Sequence, residues 1–151
     1  MPETRTRTFL RYWLPALVWL GLIASTSSDL FSAEHTGRIL EAILAALHIH
    51  MTWQHVYLLH FMIRKTAHFT EYLVMSWLWY RAGQGGRQDW RWSSALLALG
   101  VCLALASLDE WHQSFIPSRT GAFRDVVLDF VGALFTQLVI AWRARRAARA
   151  A

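Results

Sequence analysis

A single cysteine, Cys102, stands in the whole chain of 151 residues. No disulfide can form within the chain, and the place of Cys102 inside an apolar block makes it a small packing residue rather than a zinc thiolate. Charged side chains are scarce, at 17%. Internal repeats and low-complexity segments are absent, which leaves one domain over 1–151 as the simplest organisation. Also missing are an unmistakable nucleophile–base pair and a complete metal-binding motif. What the chain has instead is apolar residues, 55% of the total, gathered in blocks bounded by arginine rather than in amphipathic stripes. That pattern predicts an all-α integral membrane protein.

Four blocks read as membrane helices, over about 9–24, 63–81, 93–109 and 125–142. The first follows Arg5, Arg7 and Arg11 in the manner of a signal peptide. Three further blocks come after it and need an orientation, so it reads as an uncleaved helix. It stops at Ser25-Thr26-Ser27-Ser28-Asp29, whose side chains compete for backbone hydrogen bonds. Gly83-Gln84-Gly85-Gly86-Arg87 and the stretch around Pro117 and Gly121 are loops. The segment 30–61 is mixed. Ile39, Ile43, Leu44 and Leu47 recur there at helical spacing, which predicts an amphipathic helix over 36–47 lying on the membrane surface or capping the bundle. The expected fold is a four-helix transmembrane bundle with this additional outer-side helix between its first two spans. The strictly apolar stretches are short: about seventeen helical residues cover about 26 Å, against about 30 Å of hydrocarbon. Polar residues at one end of the second, third and fourth helices then lie at or just inside the interface.

The formal charge is +5, and its distribution argues against nucleic acid as a partner. Ten of the fifteen Lys and Arg flank apolar blocks: Arg5, Arg7 and Arg11, then Arg81, Arg87 and Arg91, then Arg143, Arg145, Arg146 and Arg149. In a four-helix topology these share one side, while Arg38, Arg64, Lys65, Arg119 and Arg124 share the other. The positive-inside bias places the ten, with both chain termini, in the cytoplasm of a bacterial-type inner membrane. Trp13, Trp79, Trp90, Trp92 and Trp142, near the same clusters, fit an interfacial aromatic belt.

Whichever way round the protein sits, that topology gathers three polar patches on one side. They are Arg64-Lys65 with His68 and Glu71, then Asp109-Glu110 with Gln113, then Arg119 and Arg124 through Asp125 to Asp129. Arg64, His68 and Glu71 share a helix face, as do Asp125 and Asp129. A charge at membrane depth costs about 2.5–3.5 kcal/mol near a helix centre, so each of these groups needs a partner. The plainest account is an ion-paired network that fixes helix packing. A functional account takes two forms. The basic residues near the starts of the second and fourth helices, where free N–H groups and the dipole favour anions, recognise a lipid phosphate or the carboxylate of a cell-wall precursor. Alternatively, the carboxylates and His68 hold a hard divalent cation, or act as general acid and base on a lipid-linked substrate. Recognition is preferred to catalysis, a small structural or assembly membrane subunit is the third class, and no cofactor is expected. His48, His50, His55 and His60 match no closed zinc set.

The same residues carry a likeness. Ile63-Arg64-Lys65-Thr66-Ala67-His68-Phe69-Thr70-Glu71-Tyr72, Asp109-Glu110-Trp111-His112-Gln113-Ser114-Phe115, Ser118-Arg119-Thr120-Gly121, Arg124-Asp125-Val126 and Asp129 to Ala133, with Ser27-Ser28 after the first helix, resemble the VanZ-like membrane proteins in order. A glycine usual in that family near Thr136 is absent. The family is named for a protein associated with low-level resistance to the glycopeptide teicoplanin. The resemblance therefore implies a cell-envelope role linked to antibiotic resistance, without implying a reaction.

Overall fold

The computed structural model describes residues 5–26, 33–87, 89–115 and 122–150, and every element among them is helical. The first rod, α1, joins an α-helical turn Arg5–Thr8, a π-helical turn Phe9–Trp13 and an α-helix Leu14–Thr26. Pro15 explains the widened turn: it has no N–H to donate, and its ring crowds the carbonyl one α-turn back, which an extra residue in the turn relieves. Helix α2 spans Ala33–Ala46. It ends at His48, whose φ is 55°. There His48 N–H bonds Ala45 O at 3.0 Å and Ile49 N–H bonds Leu44 O at 2.9 Å, the paired closure of a Schellman cap.

Helix α3 runs over Trp53–Gln84 and stops at Gly85, in the left-handed region at φ 57°, a conformation that suits glycine. Helices α4 (Trp92–Gln113) and α5 (Phe123–Ala150) complete the chain. Helix α3 touches α1, α2, α4 and α5, and α4 and α5 also pack on each other.

Three helical stretches are long and apolar enough to cross a membrane: Arg5–Ser25, Trp92–Gln113 and Phe123–Ala150. The expected four clear spans are thus three. Helix α3, at 32 residues or about 48 Å, is diluted by its polar side chains. It also begins well before the expected residue 63, because Gln54, His55 and His60 lower hydropathy without breaking a helix. The α2 helix coincides with the one expected over 36–47. Helix α5 runs past 142 because its Ala/Arg tail is made of strong helix formers. The expectations for Ser27-Ser28 and for the loop around Pro117, Arg119 and Gly121 lie outside the described residues.

The distribution of side-chain size supports a lipid surrounding. On α4 the inward face is small: Ala98, Cys102 and Ala106 are 0% exposed. Large residues of the same helix point out, with Leu96 64% and Leu108 54% exposed. A protein folding in water would bury the leucines. In hydrocarbon, large residues cost nothing outside, and small ones let helices approach closely.

The closest approach is between α3 and α5. A Cβ on Gly132 would lie 2.5 Å from the Phe69 carbonyl oxygen, so only glycine fits there. Next to it the Ser76 hydroxyl donates to Ala133 O at 3.0 Å and the Thr136 hydroxyl to Leu73 O at 2.9 Å. Gln137 Nε2 donates to Ser76 Oγ at 2.7 Å. These bonds cross between helices from buried side chains.

Candidate functional site

The α3–α5 seam continues toward the start of both helices as a ladder of charged pairs. Lys65 Nζ forms an ion pair with Asp125. One turn further in, His68 Nδ1 lies 3.4 Å from Asp129 Oδ1, and the Asp129 side chain is 1% exposed. The two helices run in the same direction, so residues three and four apart on one meet residues three and four apart on the other. Glu71 and Tyr72 follow on α3, and Asp129 acts electrostatically on both.

Helix α4 runs the other way and brings its last turns to the same place. Asp109 acts electrostatically on Glu71, Tyr72 and Asp129. Gln113 Nε2 donates to Asp109 Oδ2 at 2.7 Å, which places the two on one face as their spacing of four predicts. The Glu110 carboxylate accepts from the Ala122 N–H at 2.6 Å, tying the end of α4 to the approach to α5. From α1, Trp19 Nε1 donates to the Glu71 carbonyl at 3.0 Å.

Lys65, His68, Glu71, Asp109, Glu110, Gln113, Asp125 and Asp129 are therefore drawn together from three helices. Arg64 is half-buried and acts on His60. Arg124 is exposed at the start of α5. Arg119 lies outside the described residues.

Carboxylates dominate the interior of this cluster. Both Asp129 oxygens, the Tyr72 hydroxyl and Glu110 Oε1 are buried with no hydrogen-bonding partner among the described residues. Buried polar atoms are costly in that state. Such a site takes up hydrogen-bond donors, while its rim, at Arg64 and Lys65, favours anions. Tyr72 is the residue that reading the sequence for charge misses, although it stands four positions after His68 and so on the same face.

The histidines before the cluster have other neighbours. His60 Nε2 pairs with Thr36 Oγ1 at 2.9 Å, joining α2 to α3, and His55 Nδ1 pairs with Thr52 Oγ1 at 2.7 Å. Among the described residues no three His, Cys, Asp or Glu side chains are grouped to hold a metal ion.

No curated protein and no solved structure matches the chain. The family model described as VanZ/LLP1 matches residues 12–144, a stretch that holds all of α3, α4 and the polar cluster, and the chain belongs to that family.

Proposed function

We propose that the protein is a four-span membrane protein of the bacterial cell envelope whose polar cluster binds the headgroup of an anionic lipid, a lipid-linked cell-wall intermediate or a lipoglycopeptide. The observation that carries this reading is the buried Asp129 carboxylate, 3.4 Å from His68 Nδ1 with neither group hydrogen-bonded among the described residues, and with cations at the rim. A headgroup bearing both a phosphate or carboxylate and several hydroxyls complements that arrangement. Its anion meets Lys65 and Arg64, and its hydroxyls donate to Asp129 and Glu110. In this reading α3 crosses as the fourth span, shielded by α1, α4 and α5. The ten arginines around the other ends of the helices support a cytoplasmic position for that side and an outer one for the cluster.

The test uses the full chain in nanodiscs with a lipid-linked cell-wall precursor as probe, beside teicoplanin susceptibility of cells producing it. Arg64→Ala and Asp129→Asn are expected to weaken precursor binding at least about tenfold, or about 1.4 kcal/mol, and to remove any protection, with the protein still inserted. Unchanged binding and susceptibility in stably inserted variants contradict the proposal.

A second reading rests on the same pair. A histidine 3.4 Å from a buried carboxylate is positioned to act as a general base, which suits hydrolysis or transfer at a lipid-linked phosphate. Turnover of such a lipid by the purified protein with magnesium, lost in His68→Gln, distinguishes catalysis from binding.

A further inference from the structure

At the opposite end of α3 from the polar cluster lies an open cleft of about 280 Å³, lined by the start of α1, the last turns of α3, the loop that follows and Ile140 of α5. Arg11, Arg81 and Arg87 line it, and among the described residues that line it none is acidic. Two of these guanidinium groups are held by one ring: Arg11 lies 5.5 Å and Arg81 5.4 Å from the centre of Tyr12. Arg81 is also 5.5 Å from the Trp77 ring. Tyr12 is itself seated against the loop, where a Cβ on Gly86 would come within 2.7 Å of its hydroxyl. Aromatic stacking of this kind presents planar guanidinium forks in a fixed orientation suited to phosphate oxygens.

A second observation points to the rest of the ligand. Gln84, 4% exposed, also lines the cleft. Its Nε2 donates to the Tyr80 hydroxyl at 2.5 Å and to the Asp89 carbonyl at 2.6 Å. Its Oε1 is buried with no partner among the described residues. A bare phosphate offers oxygens to arginine but no good donor to this oxygen. A phosphate carrying a hydroxylated or amine-bearing group supplies both.

The cleft stands where the arginines and tryptophans of this end place the membrane interface: Trp13 packs edge-on against Trp79 at 5.9 Å, and Trp77 is 46% exposed. We propose that this cleft is a phospholipid-headgroup site, with Arg81 and Arg87 on the phosphodiester, Arg11 beside them, and Gln84 Oε1 accepting from a headgroup hydroxyl. It is independent of the cluster around Asp129.

The experiment is native mass spectrometry of the full chain in detergent, titrated with phosphatidylglycerol, phosphatidic acid, phosphatidylcholine or soluble glycerol 3-phosphate. One phosphatidylglycerol is expected to be retained about tenfold more strongly than phosphatidylcholine, a gap of one hydrogen-bonded donor group. Arg81→Gln with Arg87→Gln is expected to lose that adduct by about tenfold or more. Gln84→Met, which keeps the volume, is expected to bind phosphatidylglycerol no better than phosphatidic acid, whereas the native chain prefers the former. Arg149→Gln, which removes an exposed cation that lines neither site, leaves the adduct unchanged. Equal retention by the double arginine variant, no preference among the lipids, or glycerol 3-phosphate binding as tightly as the lipid each overturns the proposal.

Discussion

Asp129 sits with both carboxylate oxygens out of reach of solvent, and His68 is the cation-forming group beside it. Removing His68 leaves a buried carboxylate alone, whereas replacing Asp129 by asparagine removes the charge itself. His68→Leu is therefore expected to destabilise by about 3 kcal/mol. Adding Asp129→Asn to it is expected to restore at least about 1 kcal/mol, a coupling in the range found for contacting residues. Thermal unfolding of the four proteins of the cycle in detergent measures this, and strictly additive effects contradict the pairing. The ionisable members of the site were legible in the sequence, because spacings of three and four put Arg64, His68 and Glu71 on one helix face and Asp125 with Asp129 on another. Their partners were not. Which carboxylate meets Lys65 depends on the rotation of two packed helices, and that rotation is set by Gly132 and its neighbours rather than by charge. Tyr72 escaped notice because an aromatic in an apolar block carries no mark of its hydroxyl's surroundings.

At the scale of elements, α3 and α5 define the protein. Their seam depends on the missing side chain of Gly132, and on hydrogen bonds from Ser76, Thr136 and Gln137. Gly132→Ala forces the α5 backbone away from the Phe69 carbonyl and is expected to cost about 1–3 kcal/mol. Gly100→Ala, on α4, meets nothing within 4 Å and is expected to be neutral or to stabilise by about 0.5–1 kcal/mol, through helix propensity alone. Unfolding midpoints of the two variants check this, and similar behaviour of both contradicts the close approach. Helix existence was legible from the apolar blocks, and α2 from its periodicity. The ends were not. Hydropathy falls off at His60 and at Arg143, but neither residue type opposes helix formation, so α3 and α5 run on beyond their apolar portions. The π-turn in α1 follows from Pro15, a signal present in the sequence and passed over when only hydropathy is followed.

At the scale of the molecule, large apolar residues face outward and small or polar ones inward. The helix that touches every other element, α3, carries Lys65, His68 and Glu71 along its length, and α5 answers the first two with Asp125 and Asp129. That is why α3 falls short of a span by composition while α1, α4 and α5 qualify: its charged side chains are answered by its neighbours rather than by solvent. Helix α3 is expected to cross the bilayer with Lys65–Asp125 and His68–Asp129 at one end and the arginine-lined cleft at the other. The most direct measurement replaces Cys102 by alanine, introduces single cysteines by Thr8→Cys, Thr52→Cys, Arg87→Cys, Phe115→Cys and Ala148→Cys, and labels sealed vesicles with a membrane-impermeant thiol reagent. Thr52→Cys and Phe115→Cys are expected to react from one side only, and Thr8→Cys, Arg87→Cys and Ala148→Cys from the other. Labelling of Thr52→Cys and Arg87→Cys from the same side contradicts the crossing, and with it the buried cluster.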